Sequence, residues 1–504
     1  MGLQATYEEI SLKKPIAKLL NETFVQSNTN LPETALDKIL AVSATATLLN
    51  EEIALKKIKY SGRVIFTAVY LDENGAVKKA ECGSEFQNVI DKEDLTENAF
   101  LKIALLPTKT VAVSKNGNIY LTANITAEIK VYSPETVKYA NGGEEMFVKK
   151  EERRIVKSVC AKKSVYPVDE EFEIGYAVGE VLLHQTELFV NAITCGVDSV
   201  IIDGEANLSL CMLQKIENSD ILKENKVIPF RLEVEAPETM PSDYCVANAN
   251  LKGIKIEVVV DEETGKSTVK FSLTVEIDYE VYEESKIQAV VDAYSQEREV
   301  ILNREEVSVV CPSLRRTCEK KISARGVFQE PLMAGARLNC PALEKINVSN
   351  IKTVEEGVLI EGTAECVAFI KTNDGLIVAK TLEAPFTVVT EGSGEYTVEL
   401  LTGSFSVKIV SLDAFDIDFT LKIALQEYEK ENFSIINSVV EGEEKIVSQK
   451  AMSVYIPLKG EELWDVAKRL NSCPEVILEI NGDLEFPLTG EERLIIFRQE
   501  KKSY

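Results

Sequence analysis

Apolar and polar residues alternate along most of this chain, and a period of two places every second side chain on one face of an extended strand. Val64, Phe66, Ala68 and Tyr70 share one face in this way. A longer pattern repeats three times: Lys57–Phe86, Ser199–Phe230 and Gly357–Phe386. Each copy runs from a short strand into a glycine (Gly62, Gly204, Gly362), through an alternating strand and a polar turn, to a strand closing on phenylalanine. Pro229 and Pro385 precede the last two phenylalanines, and Glu85 precedes the first. Glycine there suits a bulge or a close backbone approach. Asp72–Gly75 and Thr372–Gly375 carry turn signals.

More strands follow each copy: Thr110–Ser114 and Ile119–Tyr132, then Gly253–Val260 and Ser267–Tyr282 across the turn Asp261–Gly265, then Gly394–Leu401, Ser404–Ser411 and Phe415–Tyr428. A fold that is mainly β is expected, with three sandwich- or barrel-like units over residues 1–140, 155–285 and 300–428. Helices are expected at Lys14–Glu22, at Leu31–Leu40 with Pro32 in the first turn, and at Lys286–Ser295. The charged stretches Asn141–Arg154, Tyr282–Glu306 and 429–451 read as connectors.

From residue 452 the period changes. After the strand Ser453–Leu458 and the turn at Gly460, Leu463, Val466, Ala467 and Leu470 fall on one helical face. Ser472–Glu475, with Pro474 between them, reads as a capping box opening a second helix. Val476, Ile477 and Ile480 form its apolar side, Asn481–Gly482 ends it, and Leu494–Phe497 supplies a last strand. The order strand–helix–helix–strand makes a small α+β domain over 452–504. Trp464 is the only tryptophan, and two readings stand: packing between helix and strand, or anchoring a partner.

Composition narrows the function. A formal charge of −26 repels phosphate backbones and anionic headgroups, so no nucleic acid is expected as partner. No apolar run is long enough for a membrane-spanning helix, and no secretory signal is read in residues 1–21. The ten cysteines include no Cys-x-x-Cys pair, so they read as reduced thiols packed as small hydrophobes, with Cys311 and Cys318 as candidates for exposure. The lone histidine, His184, rules out His-based triads and multi-histidine metal sites. Gly265-Lys266-Ser267 lacks the first glycine of a phosphate loop, Val260 standing in its place, and no nucleophile elbow occurs. No enzyme activity and no cofactor are expected. A glycosidase's two carboxylates need no local signature, so motifs do not exclude that class.

The residues YIPLKGEELWDVAKRL, ING and LTGEERLIIF, from Tyr455 to Phe497, resemble a LysM domain. That family's groove for N-acetylglucosamine polymers lies between the loop after strand one and the loop before strand two. The resemblance therefore implies a partner- or ligand-binding site at Gly460, Glu461, Glu462, Leu463 and Trp464 on one side and Asn481, Gly482 and Gly490 on the other. Gly460-Glu461-Glu462 replaces the family's usual Gly-Asp-Thr, which loses a hydroxyl and adds charge, and residues 452–504 hold 7 basic and 10 acidic residues. Three β-rich units followed by one LysM-like module resemble the SPOCS-domain spore-coat proteins of clostridia, and within them the SpoIVA-interacting protein family. That resemblance implies a non-enzymatic coat-assembly scaffold in the mother-cell cytoplasm, at the forespore surface. Its implied partner is the spore-coat morphogenetic ATPase (SpoIVA-like), met through the LysM-like module; peptidoglycan binding is the alternative.

Overall fold

The computed structural model describes residues 2–30, 36–54, 56–96, 98–115, 118–215, 220–445, 452–482 and 484–497. The fold is mainly β, and its three units share one topology. In unit 1 a long first strand, β1 (Gln4–Asn30), is followed by a meander, β2 (Leu36–Ala54), β3 (Lys57–Asp72) and β4 (Val77–Asp91). A hairpin of β5 (Phe100–Lys115) and the long β6 (Asn118–Glu144) then returns to β1. The result is two antiparallel three-stranded sheets, β2-β3-β4 and β1-β6-β5.

Unit 2 repeats this with β7 (Phe147–Ile174), the meander β8 (Val178–Cys195), β9 (Ser199–Gln214) and β10 (Ile221–Glu235), and the hairpin β11 (Tyr244–Asp261) and β12 (Lys266–Tyr294). Unit 3 repeats it again with β13 (Arg298–Val327), then β14 (Arg337–Val354), β15 (Gly357–Lys371) and β16 (Ile377–Thr390), then β17 (Glu395–Ile409) and β18 (Ala414–Glu444). Gly75, Gly265 and Gly375 take positive φ in the hairpin turns where the sequence places them.

The repeated glycine and phenylalanine are direct cross-strand partners: Gly62 with Phe86, Gly204 with Phe230, Gly362 with Phe386. The ring reaches over the glycine, so a Cβ on Gly204 would stand 2.3 Å from Phe230 Cζ and one on Gly62 2.6 Å from Phe86 Cζ. On its other side the same glycine faces a bulge in the meander's first strand, at Leu48/Asn50, Val190/Ala192 and Val348/Asn350. The motif therefore encodes a twisted corner in which an aromatic ring fills the space a side chain would take.

Six strands run far past their own sandwich. Each long pair carries a register break beside a tyrosine at the same place in the repeat, near Tyr132, Tyr282 and Tyr428. Beyond the breaks the three pairs share one core: Ile10, Val137 and Tyr139 from unit 1, Ile155, Ile287 and Ala289 from unit 2, Val307, Phe433 and Ile435 from unit 3. A second three-way core joins the meanders through Val69, Cys211 and Phe369, which occupy matching positions after the repeated glycines. Around the breaks, the half-buried Lys13 ammonium pairs with Glu280 and sits 4.3 Å from the Tyr132 ring centroid. Burial, then Glu280, Tyr428 and Tyr132, push the Tyr282 phenol up.

Several expectations are corrected. Lys14–Glu22 is part of β1, Leu36–Leu40 begins β2 (31–35 lie outside the described residues), and Lys286–Ser295 is the end of β12 and its turn. The connectors 141–154, 282–306 and 429–444 are the far halves of the long strands, polar on one face and buried in the shared core on the other. Gly394–Leu401 and Ser404–Ser411 form one bulged strand, β17. Cys311 is buried, and Cys318 is half-buried with its Sγ 3.0 Å from Thr390 Oγ1. Among the described residues no helix is long and apolar enough to cross a membrane.

Candidate partner-binding site

The C-terminal module consists of β19 (Met452–Tyr455), α1 (Leu463–Leu470), α2 (Pro474–Asn481) and β20 (Leu494–Phe497), with β19 paired to β20. Val466, Ala467, Ile477, Leu488, Leu494 and Ile496 form its core. Ser472 does not cap α2: the capping position is Cys473, whose thiol donates to Glu475 Oε2 at 2.7 Å. Ser472 is instead buried, and its carbonyl accepts the Tyr294 hydroxyl at 2.7 Å.

Two loops meet at the predicted groove and are stitched together. The Gly460 N–H donates to Leu488 O at 2.7 Å, and the Leu488 N–H donates to Glu461 O at 2.9 Å. Gly460 (φ 89°) and Gly490 (φ 92°) supply the left-handed backbone this crossing needs. The Glu461 carboxylate is buried; it accepts from Tyr455 Oη (2.9 Å) and the Leu458 N–H (2.7 Å), and Arg469 lies 2.7 Å away. Glu461 thus braces the loop and does not face outward. Glu462 is exposed at the start of α1, its own N–H held by Asp465 Oδ2 at 3.1 Å. Asn481 ties α2 to β20, donating to Ile495 O at 2.8 Å and accepting from the Ile495 N–H at 2.6 Å. Gly482 caps α2 at positive φ, and Leu463 lines the core. The backbone N–H groups of Thr489 and Gly490 donate to the Glu492 carboxylate, and such bonds, Thr489's foremost, hold it down to about 2.

Trp464 is half-buried against the module's core and also reaches outside the module. It docks the module on the far end of unit 2: its Nε1–H donates to Asp292 Oδ2 at 2.8 Å, and its ring meets Tyr294 edge-on at 5.1 Å. Phe147 stacks on the other side of Tyr294 at 5.1 Å, and Lys468 Nζ lies 2.6 Å from Asp292 Oδ1. Burial pushes the Asp292 carboxyl up, but the hydrogen bonds from Lys468 and Trp464 and the Lys468 charge outweigh it, leaving it below the usual carboxylate range. Gly142 and Ser438 occupy the matching positions of units 1 and 3, so this contact is specific to unit 2.

The surface left free is a different one. Met452, Val454, Ile456 and Leu458 project alternately from β19 and its continuation, each 56–64% exposed, and Ile495 lies directly across from Val454 on the same face. Tyr455 points the other way, into the core. The sequence signal was present: from Val454 to Leu458 both parities are apolar, which a strand with one face in water does not require. No known protein family, curated protein or solved structure matches the chain. His184 lies half-buried in β8, its imidazole pushed down by burial, and no cluster of potential metal ligands exists among the described residues.

Proposed function

We propose that this protein is a non-enzymatic assembly scaffold whose C-terminal LysM-like module grips a partner protein. The observation that carries this reading is the apolar row Met452, Val454, Ile456 and Leu458 with Ile495, displayed outward by a module fixed at Trp464 and Asp292. An exposed apolar row of this kind loses water on meeting a complementary protein surface, whereas a sugar polymer needs polar groups aimed into a groove. Here the polar groups of the predicted groove are spent internally: Glu461 on Tyr455, Leu458 and Arg469, and Asn481 on Ile495. The resemblance to SPOCS and LysM coat proteins supplies the partner, a SpoIVA-like morphogenetic ATPase of the spore coat, and the mother-cell cytoplasm at the forespore surface as the place.

The test uses the full chain immobilised on beads, offered the purified ATPase and purified peptidoglycan in parallel. Wild type is expected to retain the ATPase, and Ile456→Lys with Leu458→Lys to lose it while far-ultraviolet circular dichroism stays unchanged. Retention of wall with no retention of the ATPase overturns the reading, as does capture indifferent to both substitutions.

A further inference from the structure

Three copies of one fold allow matching surfaces to be compared. Counting from Ile119, Val269 and Phe415, the first buried apolar residues of β6, β12 and β18, positions Thr126, Glu276 and Lys422 correspond. Twice within the chain, the outer face of a unit's hairpin sheet lies on the bulged first meander strand of the unit before it. Unit 2 meets unit 1 through Lys163 paired with Glu51 and Lys252 Nζ donating to Leu48 O at 3.1 Å. Unit 3 meets unit 2 through Leu401 and Ala424, each 1% exposed, closing on Phe189. Arg315 donates to Val190 O at 2.6 Å there, and Lys422 pairs with Glu205 at 2.6 Å. Leu48 and Val190 are matching residues, opposite Gly62 and Gly204.

Unit 1 carries the same face: Lys102 at its inner end pairs with Asp278 of unit 2 at 3.6 Å, and among the described residues no other unit covers its outer end around Leu106 and Lys18. Leu106 is paired to Thr126 as Leu401 is to Lys422, and Lys18 is paired to Lys130 where Arg315 is paired to Gln426. Leu106 is 52% exposed, and Leu20 and Phe24 beside it are 69% and 64% exposed. Unit 3 carries the complementary strand, also open: Val348 opposite Gly362 matches Val190 and is exposed, and Asn347 matches Phe189. Residues 1–144 hold 16 basic and 18 acidic groups, so nearly all of the −26 charge lies elsewhere, and unit 1 is where a second acidic chain meets least repulsion.

We propose that the outer face of unit 1 binds the β14 edge of unit 3 in a second copy of this chain, reusing the contact the chain makes twice internally. Leu106 then covers Asn347, and Lys18 reaches the Val348 carbonyl. Because the two faces differ, the contact is head to tail and extends unless rotation closes it.

Sedimentation velocity of the full chain over a concentration series tests this. Wild type is expected to self-associate with rising concentration. Lys18→Glu with Leu106→Asp on one face, or Asn347→Lys on the other, is expected to weaken association at least about tenfold, with thermal melting unchanged. Mixing the two variants restores one intact contact and should give dimers that grow no further. Ile456→Lys, on the partner-binding row, should associate as wild type does. A wild type that stays monomeric throughout, association unmoved by either variant, or a mixture that stays monomeric overturns the proposal; loss of association only with Ile456→Lys assigns it to the C-terminal module and overturns it equally.

Discussion

Replacing Asp292 with alanine should release the C-terminal module from unit 2, and the chain's single tryptophan reports the event. Asp292 accepts from Trp464 Nε1 at 2.8 Å and from Lys468 Nζ at 2.6 Å. A hydrogen bond to a charged group contributes about 1.5–3 kcal/mol. The Lys468 pair, with 44% of the lysine side chain exposed, adds at most about 1 kcal/mol. The edge-on contact of Trp464 with Tyr294 is untouched by the substitution and keeps part of the docking energy. Asp292→Ala should therefore cost about 2–3 kcal/mol, roughly a 30- to 150-fold fall in the docked-to-undocked ratio. The assay is tryptophan emission and its quenching by acrylamide: undocking wets the indole, shifts emission to the red and raises quenching. The pH dependence has a fixed sign. A carboxyl held below its usual value favours the docked form above the ordinary aspartate pKa of about 3.9, and that contribution is lost as pH falls through the lower docked value. An acid red shift is expected in wild type and should be missing in Asp292→Asn. Emission and quenching unmoved by Asp292→Ala would refute the docking geometry.

Gly204→Ala should destabilise unit 2 by about 1–3 kcal/mol in urea unfolding, because the new Cβ meets both Phe230 and the Phe189 carbonyl; Gly253→Ala, whose Cβ meets nothing within 3.6 Å, is the control and should leave the midpoint in place. Lys223→Met strands the buried Glu344 carboxylate between units 2 and 3 and should cost about 3–5 kcal/mol, most of it recovered by adding Glu344→Gln; equal midpoints for single and double variants would count against a true pair. Glu461→Gln removes the charge that Leu458, Tyr455 and Arg469 converge on, and should speed hydrogen exchange at the Leu458 amide at least about tenfold without abolishing β19–β20 pairing.

The mainly β fold and the hairpin turns were legible because period-two alternation and turn chemistry are local signals, whereas the pairing of each repeated glycine with its phenylalanine was not. The C-terminal element order was legible for the same reason, through the spacing of Leu463, Val466, Ala467 and Leu470. The far halves of the long strands were not. In Lys286–Ser295 the residues that enter the shared core, Ile287 and Ala289, are few, and the core partners that make them strand-like, such as Phe433 and Val307, are supplied by another unit. Propensity cannot show a partner that distant in sequence. The inward turn of Glu461 and the capture of Trp464 by Asp292 depend on contacts no spacing reveals. The apolar row on β19 is readable in the sequence as two apolar parities from Val454 to Leu458.

Val69, Cys211 and Phe369 stand at matching positions in three units, yet they differ widely in size and fill one interior together. Their volumes are therefore a joint quantity: a larger residue in one unit is accommodated only by a smaller one in another. Drift in the three repeats is coupled at this spot, so homologues should show size exchange among the three positions, with the sum held while the individuals vary.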